Sequence, residues 1–170
     1  NQKVKFREGF RPFAPIVLKE HAHDYFDIDP DCESPYMLLV APVQSERRIE
    51  PAREPGGLEK LNVLRSEIPA VTHVDYSARI QTVDSERNGL LYRLLSSFRE
   101  KTGCPVMINT SFNLGWSPIV RTPQDAYETF MMSDLDLLCL GPFLVRKKPA
   151  VSSALGHGSS APDFLDELLA

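Results

Sequence analysis

The sequence lacks a long apolar run and contains few cysteines. No stretch approaches the roughly 18 to 20 apolar residues that cross a bilayer, and no charged-then-apolar leader opens the chain. The three cysteines, Cys32, Cys104 and Cys139, lie far apart and form no C-x-x-C pair, so a disulfide framework or a zinc knuckle is not indicated. We therefore expect a soluble, cytoplasmic protein.

The sequence also has no excess of positive charge. With 19 Lys and Arg against 23 Asp and Glu, its formal net charge is −4 at pH 7. Proteins that bind nucleic acid over their whole surface neutralise phosphates with clustered Lys and Arg, so this class is disfavoured, although a local cationic patch is compatible with the charge. Neither G-x-x-x-x-G-K-[ST] nor G-x-G-x-x-G occurs, so a nucleotide would be held without a Walker or Rossmann loop.

The 170 residues suffice for one domain with a tail, and 14 prolines divide them into short elements. Helical spacing of apolar residues predicts a helix over residues 85–102, and Thr122 followed by Pro123 predicts the start of a second helix that ends near Ser133. Strand-like apolar runs alternate with these helices and predict a mixed α/β domain; they cover residues 15–18, 36–43, 71–83, 106–110, 135–140 and 143–146.

Three further segments have distinctive compositions. Residues 44–67 are charged and rich in Pro and Gly, which predicts a long mobile loop that orders on a ligand or partner. Residues 149–170 are expected to be a disordered tail with a short terminal helix, because Ser, Gly and Ala dominate before the last eight residues. Since the chain begins at Asn1 rather than Met, we expect it to be a piece of a longer protein.

Basic residues alternate near the start of the chain. If residues 3–13 are extended, one side carries four cations and the other carries Phe6 and Phe10; the cations are Lys3, Lys5, Arg7 and Arg11. Such cations repel one another unless an anion with several oxygens lies against them. A solvated edge strand, whose basic residues discourage aggregation, is the alternative that this bare pattern favours.

A second polar set lies in residues 71–83. In strand register one face carries His73, Asp75, Ser77, Arg79 and Gln81, and the other face is apolar. An arginine among hydroxyl and amide groups suits a phosphate or carbamoyl oxygen. An ordinary half-exposed sheet face is the alternative.

A third set ends the apolar run at residues 106–110. Asn109, Ser111 and Asn113 fall on one side of an extended chain, at the carboxyl end of a strand where ligands gather in α/β sheets. Asn and Ser also form ordinary turns, which is an equally good interpretation.

Other candidate residues carry weaker signals. His21, His23 and Asp24 form a partial metal set without a fourth ligand, which is more typical of a polar loop. Cys104 has no adjacent base and is expected to be a packed thiol. Glu8 and Asp75 are candidate acids or bases, without a sequence signal for a perturbed environment.

Eight motifs in order resemble the C-terminal domain of the O-carbamoyltransferases that modify aminoglycosides, cephalosporin intermediates and nodulation factors. The resemblance covers roughly residues 1–148, and its motifs are Lys5-Phe-Arg-Glu8, Phe10-Arg-Pro-Phe-Ala-Pro15, Pro35-Tyr-Met37, Ile68-Pro-Ala-Val-Thr-His-Val-Asp75, Ala78-Arg-Ile-Gln-Thr-Val83, Tyr92-Arg-Leu-Leu95, Asn109-Thr-Ser-Phe-Asn113 and Pro118-Ile-Val120.

This resemblance implies a YrdC-like fold, a twisted mixed sheet with flanking helices, over residues 1–148. It implies binding of ATP, with Mg²⁺, and of carbamoyl phosphate, and formation of carbamoyl-adenylate. A Kae-like N-terminal domain of the same polypeptide would hold the acceptor site and its metal, and would carbamoylate a small-molecule hydroxyl. No metal site is expected in the present chain.

The resemblance also assigns residues. The K-x-R and S-x-N signatures of YrdC-like domains correspond to Lys5 and Arg7 and to Ser111 and Asn113. The cations Lys5, Arg7, Arg11 and Arg79 would clamp the phosphates, Ser111 and Asn113 would orient carbamate or the α-phosphate, and the catalytic set would be Lys5, Arg79, Ser111 and Asn113. The family commonly shows Gly-Glu before Pro-Ile-Val, where this chain has Trp116 and Ser117.

Two other functions are compatible with such a domain. One is an RNA-binding YrdC-like module, which the net charge of −4 and the lack of aromatics among the basic residues disfavour. The other is a carbamoyl-adenylate synthase of another pathway. The motifs Asn109-Thr-Ser-Phe-Asn113 and Thr72-His-Val-Asp75 favour the O-carbamoyltransferases over it.

Overall fold

A four-stranded mixed sheet and a long helix form one of two compact units. The computed structural model describes residues 1–53 and 55–147, so the predicted tail at 149–170 lies outside the described residues. One unit is Pro12–Thr110, and the other combines Asn1–Arg11 with residues 111–147. The first unit contains strands β1 (Ala14–Leu18), β2 (Leu39–Pro42), β3 (Ser77–Val83) and β4 (Val106–Asn109) and helix α1 (Gly89–Thr102).

The sheet has the order β2-β3-β1-β4. Strand β1 is parallel to β3 and antiparallel to β4, and β2 is antiparallel to β3. All five residues of β1 are buried, as expected for a central strand covered on both faces. Val17 belongs to a cluster with Phe26 and Val43, whereas Ile16 and Leu18 belong to a second cluster that includes Leu95 of α1.

Helix α1 begins at Gly89, four residues after the predicted start. The side chain of Asp84 accepts hydrogen bonds from the N–H groups of Glu86 (3.0 Å) and Arg87 (2.8 Å), so the residues before the helix form a turn. The predicted stop is confirmed: Gly103 adopts a left-handed φ of 76° and its N–H donates to Arg99 O at 2.7 Å.

The second unit contains helix α2 (Pro123–Met132) and the hairpin of β5 (Leu137–Leu140) and β6 (Phe143–Arg146). The predicted helix start is confirmed, because Thr122 Oγ1 accepts from the Asp125 N–H and the Asp125 carboxylate accepts from the Thr122 N–H, both at 3.1 Å. The core of this unit contains Phe130 and Leu138.

The predicted mixed α/β class, a mixed sheet with flanking helices, is confirmed. The segment at 44–67, predicted to be a loop, contains the 3-10 turns Ser45–Arg47 and Gly57–Asn62. Within the described ranges, no helix has both the length and the apolar character needed to cross a bilayer.

Candidate functional site

Lys5 is buried against the loop that follows β4, here called the amide loop (residues 111–117). Lys5 is only 6% exposed, and its Nζ donates to Ser111 O at 2.5 Å, Asn113 O at 2.8 Å and Asn113 Oδ1 at 2.8 Å. These bonds use all three N–H groups of the ammonium. Within the described residues no carboxylate forms an ion pair with it. Lys5 is therefore a buried cation held by neutral oxygens.

Asn113 organises the amide loop. Its Oδ1 accepts from Lys5 Nζ and from Ser111 Oγ (2.6 Å), while its Nδ2 donates to Leu114 O (2.9 Å) and Ser117 O (3.0 Å). These partners define which end of the amide is the oxygen. Both ends of the Asn113 amide are engaged, whereas Ser111 is exposed. The Ser111 hydroxyl is therefore more accessible to a ligand than the Asn113 amide.

Residues Asn1–Arg11, here called the amino-terminal turn, fold back on Asn1. The backbone O of Asn1 accepts from the N–H groups of Lys5 (3.1 Å) and Arg7 (3.3 Å), and its Nδ2 donates to Gly9 O (3.2 Å) and Arg11 O (2.6 Å). Phe6 has a left-handed φ of 50°. The prediction of an extended segment over residues 3–13 is therefore wrong, because hydrogen bonds to Asn1 hold the backbone in turns.

The cations of this segment consequently do not share one strand face. Lys5 is buried and Arg7 half-buried, whereas Lys3 and Arg11 are exposed. Arg7 Nε donates to Asn1 Oδ1 at 2.6 Å, and Arg11 pairs with Glu8 at 3.5 Å.

The pKa values of buried Lys5 and half-buried Arg7 are both lowered. Burial, and secondly the charge of Arg7, lower the pKa of Lys5 from its usual 10.5. Burial and the charge of Arg11 likewise lower the pKa of Arg7, partly offset by Glu8. An anion beside these cations would oppose both effects.

Two more contacts join the amino-terminal turn to the amide loop. The rings of Phe6 and Trp116 lie with their centroids 4.9 Å apart and their planes tilted by 48°. A Cβ on Gly115 would lie 2.7 Å from Phe6 O and 3.1 Å from Lys5 O, so only glycine lets the two backbones approach this closely. Sequence alone does not assign this role to Gly115, because a single glycine in a loop is equally typical of an ordinary turn.

The polar run before β3 forms a turn and not a strand. Asp75 Oδ1 accepts from the Ser77 N–H (3.1 Å) and Oγ (2.7 Å), and Tyr76 has a left-handed φ of 63°. The predicted polar face is therefore wrong for His73 and Asp75, which precede the strand, and Ser77 is buried. The Ser77 hydroxyl, then its N–H, lower the pKa of Asp75, which keeps this carboxylate ionised and makes it a poor general base.

Arg79 and Gln81 do lie on β3. Arg79 is exposed and is paired in register with Val40 of the edge strand β2. Gln81 donates to Pro35 O at 2.8 Å and accepts a hydrogen bond from Asn109 Nδ2. These residues belong to the unit Pro12–Thr110, whereas Lys5, Arg7, Ser111 and Asn113 belong to the other unit, where Lys5, Ser111 and Asn113 are in direct contact.

The weaker candidates have ordinary surroundings. His21 Nδ1 lies 2.9 Å from Asp24 Oδ2, and His23 Nε2 lies 3.4 Å from Asp24 Oδ1. The described part of the chain contains no group of three or more His, Cys, Asp or Glu side chains placed to hold a metal. Cys104 packs against the core and its Sγ donates to Val106 O at 3.5 Å, which confirms a packed thiol.

Comparison with known proteins identifies the family. The family model described as "Carbamoyltransferase C-terminus" matches residues 1–147. The chain therefore belongs to the carbamoyltransferase C-terminal family, as the eight motifs predicted.

Individual relatives share this region. The chain is 52% identical over 150 residues to the uncharacterized protein sll1178 of Synechocystis sp., covering 86% of the chain and 24% of that protein. It is 42% identical over 151 residues to nodulation protein NolNO of Sinorhizobium fredii, covering 88% of the chain and 20% of that protein. It is 37% identical over 137 residues to 3'-hydroxymethylcephem-O-carbamoyltransferase of Amycolatopsis lactamdurans, covering 81% of the chain and 21% of that protein. The chain thus spans about a fifth to a quarter of these relatives' length.

Proposed function

We propose that this chain is a YrdC-like, cytoplasmic domain that binds ATP and carbamoyl phosphate and forms carbamoyl-adenylate. A Kae-like N-terminal domain of the same polypeptide would then transfer the carbamoyl group to a small-molecule hydroxyl. The observation that carries this proposal is the buried ammonium of Lys5, which contacts Ser111 and Asn113 without a carboxylate partner in the described residues, in a chain of the carbamoyltransferase family.

The chemistry needs cations and orienting groups rather than a side-chain nucleophile. Carbamate, released by hydrolysis of carbamoyl phosphate, attacks the α-phosphorus of ATP through an oxygen. An O–P bond forms, the bond from the α-phosphorus to its bridging oxygen breaks, and pyrophosphate leaves with the electron pair. Positive charge close to the phosphates stabilises the developing negative charge.

Each candidate residue has a role in this reaction. Lys5 and Arg7 would neutralise phosphate oxygens from the amino-terminal turn, and Arg11 and Arg79 would contribute further positive charge. Because the Lys5 donors already hold the amide loop, a phosphate oxygen would replace one of its oxygen partners. Ser111 would orient carbamate or the α-phosphate directly, and Asn113 would hold both Ser111 and Lys5 in position.

The residues of this cluster do not form a site for Mg²⁺ themselves. Lys5, Ser111 and Asn113 offer one cation and neutral groups but no carboxylate, which hard divalent cations prefer. We therefore expect Mg²⁺ to accompany the ATP phosphates, and the metal of the acceptor site to lie in the Kae-like domain.

The name of one relative supports a hydroxyl acceptor. The Amycolatopsis protein is named an O-carbamoyltransferase of a hydroxymethyl compound. Together with the family match, this name favours O-carbamoylation over an RNA-binding module and over a carbamoyl-adenylate synthase of another pathway.

Calorimetry of this 170-residue chain with ATP and with carbamoyl phosphate tests the proposal. We expect ATP to bind without carbamoylation of an acceptor. Trp116 is the chain's single tryptophan and touches Phe6 next to Lys5, so its fluorescence provides a second readout. Absence of both heat and a fluorescence change at millimolar ATP would contradict the proposal, as would salt-sensitive RNA binding without ATP binding.

A further inference from the structure

Arg65 is a buried arginine without an acidic partner among the described residues. Arg65 is 8% exposed, and its Nη1 donates to Val63 O at 3.0 Å. Of the five N–H donors of a guanidinium, the others have no acceptor among the described residues. Burial of a charged group is costly unless that group is paired, so Arg65 is an exception that calls for a partner.

Arg65 also lines a cavity. Among the described side chains, only His23 Nδ1 is sealed from solvent and also lacks a hydrogen bond. The unpaired nitrogens of Arg65 are therefore accessible, and Arg65 lines a cavity of about 440 Å³. This volume is typical of small-molecule sites and is far larger than one water molecule requires.

The charges around the cavity favour an anion. Lys60 also lines it, and the Arg48 guanidinium lies 5.5 Å from the ring of Tyr76, another lining residue. The one carboxylate of the described lining, Glu50, is exposed and accepts a long 3.5 Å hydrogen bond from the Tyr76 hydroxyl. All of these residues belong to the unit Pro12–Thr110 and none belongs to the Lys5, Ser111 and Asn113 cluster.

We propose that this cavity binds a small molecule through an oxyanion, either a phosphoryl group or a carboxylate. The planar fork of Arg65 receives two oxygens of the anion, and Lys60 supplies a second positive charge. Val63 and Val74 provide apolar walls for the rest of the ligand. The binding leaves the ligand unchanged, and this site does not depend on the ATP site proposed above.

A ¹⁵N NMR titration of the 170-residue chain in a buffer free of phosphate and carboxylate tests this site. The probes are inorganic phosphate and acetate, added separately. We expect at least one of them to shift the Arg65 Nε–H signal and the backbone amides of Val63 and Ser66. Response to phosphate alone or to acetate alone distinguishes a phosphoryl from a carboxylate ligand.

Arg65→Gln keeps most of the side-chain volume and removes the charge. We expect it to weaken binding of the responsive anion at least about tenfold, as for loss of a charge-assisted pair. In anion-free buffer its melting temperature should equal or exceed that of the wild type, because an unpaired buried charge is removed. Lys60→Ala should weaken binding less. Arg53→Gln, on the same loop with a side chain 75% exposed, is the matched control and should leave binding unchanged.

Three results would overturn the inference. The first is that neither anion moves the signals around Arg65. The second is that Arg65→Gln binds the anion as tightly as the wild type. The third is that Arg7→Gln, which alters only the proposed ATP site, also loses the response around Arg65. If Arg7→Gln loses ATP binding but keeps the Arg65 response, both proposals are supported separately.

Discussion

Lys5 and Asn113 are separated by 108 positions in the sequence, yet two hydrogen bonds of 2.8 Å join the Lys5 ammonium to the Asn113 backbone and side-chain oxygens. A residue of the K-x-R signature is thus joined directly to one of the S-x-N signature. Because Asn113 Oδ1 also accepts from Ser111 Oγ, a change at any of these residues alters the surroundings of the other two.

Asn113→Asp distinguishes a functional amide loop from a mere turn. The aspartate would retain an oxygen facing Lys5 and would place a charged oxygen against Leu114 O and Ser117 O, which now accept from Nδ2 at 2.9 and 3.0 Å. We expect about 1–3 kcal/mol of lost stability and abolished carbamoyl-adenylate formation, because negative charge is added beside an anionic reactant. Pyrophosphate release by the intact polypeptide and a melting curve measure the two effects.

Ser111→Ala and Asn113→Ala are measured beside Asn113→Asp. Both should abolish carbamoyl-adenylate formation while ATP still binds, since the cations hold most of the nucleotide. Near-normal activity of Asn113→Asp would contradict the catalytic assignment and leave these residues as turn formers.

The lowered pKa of Lys5 predicts a pH dependence of ATP binding. Lys5 loses its proton below the usual lysine value of 10.5, so affinity should fall as the pH rises toward that value. In the same window the unfolded chain binds this proton more tightly than the folded chain, so the contribution of Lys5 to the free energy of unfolding rises with pH. Calorimetry and melting curves at several pH values above neutrality should show affinity and stability changing in opposite directions.

Lys3→Met and Lys5→Met form the matched pair for this measurement. Lys3 is exposed, so its replacement should retain the pH dependence, whereas Lys5→Met should remove it. Equal pH profiles for the wild type and Lys5→Met would rule out Lys5 as the titrating group.

Gly115→Ala should separate the amino-terminal turn from the amide loop. The new Cβ would lie 2.7 Å from Phe6 O, so one backbone must shift, at a cost of about 1–3 kcal/mol in the free energy of unfolding. ATP binding should weaken together with stability, because Lys5 lies on the displaced turn. Denaturant unfolding and calorimetry measure these effects.

Gly56→Ala is the control for this substitution. A Cβ at Gly56 would have no heavy atom within 4 Å, and its φ of −96° suits any residue, so stability should change by less than about 0.5 kcal/mol. Equal stabilities of the two alanine variants would show that the close approach at Gly115 is unimportant.

Arg79→Ala should weaken nucleotide binding and leave the fold intact. Arg79 is exposed on β3, so its side chain contributes little to the core. Loss of a charge-assisted contact typically costs about 1.5–3 kcal/mol, or roughly ten- to a hundredfold in the dissociation constant for ATP. Arg79→Lys, which keeps the charge but loses the planar fork, should give an intermediate value. An unchanged dissociation constant with a lower melting temperature would make Arg79 structural.

Local sequence determined much of the secondary structure. The cap at Thr122 and the stop at Gly103 were predicted because each depends on side-chain chemistry or backbone freedom within a few residues. Strand β6 agrees at both ends with the predicted run at 143–146, and β1 agrees to within one residue. The eight motifs predicted the family, which the family model confirms.

Tertiary structure decided which polar residues meet. Alternation of residue types suggested strands at 3–13 and 71–76, but hydrogen bonds from Asn1 and Asp75 form turns there, and no periodicity contains that information. The Lys5 and Asn113 pair and the Gly115 close approach depend on distant segments coming together. Arg65 likewise occurs in the charged segment 44–67, which the sequence predicts to be a mobile loop, and only packing buries its charge beside a cavity. Burial and long-range pairing are properties of the folded chain, whereas helix caps and stop signals depend on residues that are neighbours in the sequence.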